Sequence, residues 1–161
     1  MSLGRTRGPP PALALALLGL GACGPHGLEG SLTELLSLRY QSAVAQSDGM
    51  QATVRFQVPR GSGQDIVLEV SAQVGDLNVV PYALIDLAET GPNGRERGVV
   101  SRTVTGDPLH DFPSILRGAL RFDANFPSGT SIPGAFTVTF NEGTSFGAGR
   151  TVYGDFQAKV P

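Results

Sequence analysis

From residue 50 onward, apolar and polar residues alternate with period two along most of the chain. In MQATVRFQV, Met50, Ala52, Val54, Phe56 and Val58 alternate with Gln51, Thr53, Arg55 and Gln57, as a strand with one buried face requires. The next segment repeats the scheme, with Ile66, Leu68, Val70, Ala72 and Val74 on one side and Glu69, Ser71 and Gln73 on the other. Phe136, Val138 and Phe140 alternate, and so do Val152, Phe156, Ala158 and Val160. Weaker versions of the pattern predict further strands over 79–87, 99–105, 115–125, 133–141 and 150–160. Turn-forming clusters separate these runs: Ser47-Asp48-Gly49, Pro59 through Gly63, Gly91-Pro92-Asn93-Gly94, Pro127-Ser128-Gly129, and Gly143 through Gly149. Short strands at this spacing predict an all-β fold, a single antiparallel β-sandwich of about seven to eight strands. Its expected core is Phe56, Leu68, Val70, Leu84, Leu120, Phe122, Phe136, Val138, Phe140 and Phe156.

The segment SLTELLSLRYQSAVAQ fits two patterns. Ser31 and Glu34 have the spacing of a capping box, and Leu32, Leu35, Leu36, Tyr40, Ala43 and Val44 make a helical stripe. Leu36, Leu38 and Tyr40 also alternate, and the Asp48-Gly49 turn leads straight into the next strand. That continuity favours a strand over 36–46.

The N-terminus has a different pattern. Arg5 and Arg7 precede an apolar stretch, Ala12 to Leu20, which ends in Gly21 and Ala22, the layout of a secretory signal. Nine residues of helix span roughly 14 Å, about half of a bilayer's hydrocarbon core, too little for a stable span. Leu20-Gly21-Ala22-Cys23 contains the only cysteine of the chain and resembles the lipobox of bacterial lipoproteins. The resemblance implies cleavage between Ala22 and Cys23, a diacylglyceryl thioether on the Cys23 sulfur, and often a fatty acyl group such as palmitate on the new amino terminus. Gly24 stands where an aspartate often signals inner-membrane retention in that family, so the expected location is the outer membrane of a bacterial envelope. The expected organisation is a signal peptide over 1–22, a lipidated tether over 23–30 and the sandwich over 31–161. Within that sandwich, GSLTELLSLRY and GAFTVTF with YGDFQAKV resemble pieces of small β-rich envelope lipoproteins.

Composition narrows the function classes. The 161 residues carry 12 basic and 14 acidic side chains, with no basic cluster of the kind nucleic acid requires. After cleavage, ten basic side chains face fourteen acidic ones, a balance of −4. Glycine and proline, 22 and 12 residues, stay below the level of low-complexity chains and read as turn formers.

Candidate chemistry is sparse. His26 falls in the tether, and Asp107, His110 and Asp111 in GDPLHDFP form the one polar cluster suited to a metal or an activated water. Three side chains so close along one loop usually splay apart, so a solvated connection is the expectation, with no metal and no cofactor. Ser62 lies between Gly61 and Gly63, too short for a nucleophile elbow. NEGTSFGAGR lacks the lysine and following helix of a phosphate loop. Glu69, Glu89 and Glu96 have no spacing that pairs two carboxylates. Tyr82 and Tyr153 are candidate exposed contacts for a ligand or partner, with sheet packing as the alternative. The sequence therefore predicts a non-catalytic interaction or structural lipoprotein with an envelope protein partner. A small-ligand binder is second. A hydrolase using Asp107, His110 and Asp111 is third.

Overall fold

The computed structural model describes residues 26–161. Signal, cleavage site and Cys23 therefore lie outside the described residues. Strand β1 is His26–Gly27, and a single 3-10 turn follows at Ser31–Glu34. Then come β2 (Arg39–Tyr40), β3 (Ser42–Ser47), β4 (Gln51–Arg60), β5 (Gly63–Gln73), β6 (Leu84–Asp86), β7 (Gly98–Thr103), β8 (Ile115–Phe122), β9 (Ser131–Phe140) and β10 (Thr151–Lys159). Strands β1 and β2 pair with each other, and the other eight form one sheet in the order β6-β8-β9-β10-β3-β4-β5-β7. Neighbours run antiparallel except β10 and β3, which are parallel and meet at Ala158↔Ala43 and Lys159↔Val44.

This sheet is folded over on itself. Strand β4 lies three places from β9, roughly 14 Å away in a flat sheet at ~4.8 Å per strand. Yet the Phe56 ring of β4 packs 5.4 Å from Phe136 of β9 and 5.9 Å from Phe156 of β10. The half β6-β8-β9-β10 therefore covers the half β3-β4-β5-β7, as in a sandwich. The edges β6 and β7 approach at one corner, where the Gly98 N–H donates to the Leu87 carbonyl and the Leu87 N–H to the Gly118 carbonyl. The sheet does not close into a barrel.

Nine of the ten expected core residues are buried, each at most 5 % exposed: Phe56, Leu68, Val70, Leu120, Phe122, Phe136, Val138, Phe140 and Phe156. Each such side chain contributes about 1.5–3 kcal/mol by leaving water. Leu84 is the exception, at 71 % exposed. The strand expected over 79–87 shrinks to Leu84–Asp86, because Tyr82 sits at φ 68 and turns the chain. On β6, Ile85 points inward and Leu84 outward, one step out of phase with the expectation.

Met50 is also exposed, since it belongs to the Asp48-Gly49 turn that precedes β4. Ile66 loses its inward place to Val67 at a bulge between β5 and its neighbours. The capping box does not form. Gly30 occupies the cap position, Ser31 Oγ accepts the Thr151 N–H, and Glu34 pairs with Arg150. Leu36, Leu38 and Tyr40 are buried alternately, but the strand expected over 36–46 starts only at Arg39 and breaks at Gln41, so that β2 pairs with β1 while β3 joins the large sheet.

The expected tether is the largest local correction. His26 and Gly27 pair with Tyr40 and Arg39, Leu28 is 5 % exposed, and Glu29 exchanges two backbone hydrogen bonds with Tyr153 of 2.9 and 3.0 Å. Residues 26–30 are thus part of the folded body, because Leu28 supplies an apolar side chain that the core buries.

Candidate functional site

The outer surface of β6, β8, β9 and β10 carries the most distinctive feature among the described residues. Two rows of outward side chains cross these strands in register. One row is Leu84–Arg121–Ala135–Asp155, and the next is Asp86–Ala119–Thr137–Tyr153. Ala119 and Ala135 are small, so the middle of the face sinks between taller neighbours, and the Gly154 backbone lines it. The result is an open cleft of about 420 Å³, walled by Leu84 and Tyr153 and flanked by Arg121, Asp155 and Glu29.

Both aromatic candidates from the sequence belong to this side. Tyr153 is 42 % exposed and stands beside the incoming chain at Glu29. Tyr82 is 68 % exposed, and its N–H donates to the Phe122 carbonyl at the end of β8. A backbone φ of 68 is costly for a residue other than glycine, so the fold holds the Tyr82 backbone in a turn against a local preference. Arg121 forms a two-point ion pair with Asp123 at 2.6 and 3.2 Å. That pair is what chiefly raises the Arg121 guanidinium pKa above its ordinary value, and Asp155 and Tyr82 add smaller contributions.

The outer surface of the other half carries more polar and charged groups, with Val99 of β7 as an exposed apolar side chain among them. Arg55 pairs with Glu69 across β4 and β5 and donates to Gln46 of β3. Gln57, Gln73, Thr53 and Ser71 share that face. The two sides of the molecule therefore differ in character.

The loop candidates separate. Asp107 accepts a 2.7 Å bond from Arg102, whose guanidinium also reaches the Val67 carbonyl. His110 stacks on Phe146 with ring centroids 3.9 Å apart, and Asp111 is exposed. Among the described residues no group of three or more His, Cys, Asp or Glu side chains comes together in a way that could hold a metal. Ser62 sits in the tight turn between β4 and β5. The glycine-rich segment 141–150 is packed: Phe146 meets Phe112, and Gly147 lies against Leu32. Glu69 is held by Arg55, and Glu89 lies 3.4 Å from Arg97. Glu96 accepts the Ile115 N–H, and burial raises its pKa.

Sequence reasoning missed the cleft floor and two buried arginines. Arg97 is 2 % exposed and donates to both Asp76 oxygens at 2.7 and 2.8 Å and to the Gln73 carbonyl. Arg102 is 8 % exposed. An arginine at an inward position of a strand, as Arg102 is on β7, would have been the signal. The chain matches no family model, no curated protein and no solved structure.

Proposed function

We propose that this protein is a lipid-anchored bacterial envelope lipoprotein, processed at Ala22-Cys23 and most consistent with the outer membrane, that works as a non-catalytic interaction module. The observation that carries this reading is the junction between the lipobox and the fold. Only Gly24 and Pro25 separate Cys23 from the paired residue His26. Three Cα steps reach at most about 11 Å, so a lipid on Cys23 would hold the body against the bilayer and present its surface there. Two or three acyl chains anchor a protein almost permanently, whereas one does so marginally.

The test is fatty-acid labelling in cells. The native chain should incorporate a palmitate analogue, and Cys23→Ser should abolish the label, accumulate uncleaved precursor and change membrane fractionation. Label retained by Cys23→Ser overturns the anchoring. Cross-linking of the lipidated protein in cells should capture a specific envelope partner.

A second reading is supported by the cleft. Its volume of about 420 Å³ falls in the range of small-ligand sites, and its apolar floor with Arg121 and Asp155 at the side suits an amphipathic small molecule. A hydrolase would require Asp107, His110 and Asp111 to converge, and Asp107 is engaged by Arg102 instead.

A further inference from the structure

We infer that the outer face of β6, β8, β9 and β10 lies on the lipid bilayer, with Tyr82, Leu84 and Tyr153 seated at the headgroup boundary. The inference rests on the anchoring proposed at Cys23 and names the surface that the anchor turns toward the membrane. Two independent observations meet here. The first is where the chain enters the body: Glu29 is bridged to Tyr153 of β10, so the segment from Cys23 arrives beside this face, and its six residue steps keep the lipid within about 22 Å of Tyr153. The second is the character of the face. Leu84, Tyr82 and Tyr153 are 71 %, 68 % and 42 % exposed, while the opposite outer face carries Arg55, Glu69, Gln46 and Gln57 around one exposed valine, Val99.

Three strand spacings separate β10 from β6, roughly 14 Å. A bilayer touching the lipidated end at β10 therefore reaches Leu84 with only a slight tilt of the body. Tyrosine suits this depth, with an apolar ring and a polar tip. The charges around the strip, Glu29, Asp86 and Asp155 against Arg117 and Arg121, are mixed in sign. Attraction is then apolar in origin and salt does not release it. The polar face and the loop ends remain open to a protein partner.

The chain contains no tryptophan, so one introduced indole reports its own surroundings. Leu84→Trp and Gln51→Trp, both at exposed positions, are made in the full chain, purified from membranes in lipidated form and reconstituted in phosphatidylethanolamine–phosphatidylglycerol vesicles containing acyl-brominated phosphatidylcholine. Leu84→Trp should emit to the blue and be quenched several-fold more strongly than Gln51→Trp, with no change at about 0.5 M salt. Circular dichroism confirms that both variants fold. Equal quenching at the two positions in labelled, vesicle-bound protein overturns the orientation while leaving the anchor intact. Protein that never acquires the lipid overturns both. A photo-cross-linker at position 84 that captures a protein in cells rather than lipid also overturns it, in favour of a protein-binding face.

Discussion

Gly134 of β9 faces the core directly opposite Phe156 of β10, and the phenyl ring fills the space a side chain would take. A Cβ there would stand 2.4 Å from the Phe156 ring and 2.5 Å from the Arg121 carbonyl oxygen. The carbonyl belongs to paired backbone, so relief requires β8 and β9 to part. Gly134→Ala should therefore cost about 1–3 kcal/mol, the usual range for overpacking. Gly27 has no atom within 4 Å of the corresponding position, and Gly27→Ala should stay within about 0.5 kcal/mol of the native chain. Urea midpoints of the two variants check both values. Equal midpoints would mean that β9 can shift freely under the ring.

Among the elements, the connection from β5 to β7 depends on a charge placed inside. Arg97 precedes β7 and ties the Gln73 carbonyl at the end of β5 to Asp76 in the loop beyond. Arg97 holds the Asp76 carboxyl below its ordinary pKa. The folded chain thus binds fewer protons there than the unfolded chain. This contribution is complete above the ordinary carboxylate value near 4 and is lost as pH falls through the lowered one. Glu96 has the opposite sign. Burial raises its pKa, so its ionisation opposes folding above that raised value and the opposition disappears on acidification. Asp76→Asn should lower the urea midpoint at neutral pH and lose less stability on acidification. Glu96→Gln should raise the neutral midpoint, because an amide oxygen still accepts the Ile115 N–H without a buried charge. Urea titrations at pH 7 and pH 3 separate the two.

The same elements show what could be read without coordinates. Strands β4, β5, β9 and β10 are long and paired on both sides, so burial of one face imposed a plain alternation. Strand β6 has three residues and one pairing partner in the sheet. Three residues are too few to fix the phase of 79–87 from the sequence, and Leu84 points outward instead of inward. Bulges at Phe56/Gln57 and between Ile66 and Glu69 shift the register locally, which periodicity alone does not reveal. The cleft was less legible still. Ala119, Ala135 and Gly154 lie on three strands, and nothing local in sequence says that they become neighbours. Tyr82 and Tyr153 were visible as candidates because an aromatic residue near a turn or at a polar phase of a strand stands out by itself.

For the whole molecule, the placement of β10 matters most. It joins β9 to β3 and is the one parallel link in the sheet. Without it, one half would keep β6, β8 and β9 and the other β3, β4, β5 and β7, with only the corner bonds around Leu87 between them. Deleting residues 143–161 should therefore abolish cooperative urea unfolding rather than merely lower its midpoint. Retention of a sharp transition would show that side-chain packing and the corner bonds at Leu87 and Gly98 suffice to hold the halves together. The complete chain, dominated by non-local strand pairs, should refold in milliseconds to seconds.

That placement also sets a timetable. Synthesis delivers β3, β4 and β5 early, but the strand that completes their hydrogen bonding and brings Phe156 onto Phe56 comes at residues 151–159. Until those residues are available, the layer of β6, β8 and β9 has no ladder to β3, and the core lacks Phe156. On the secretory route proposed for this chain, a translocation channel admits only polypeptide that has not yet folded. On that route, a fold whose closing strand comes last would stay threadable until the polypeptide through β10 has cleared the pore.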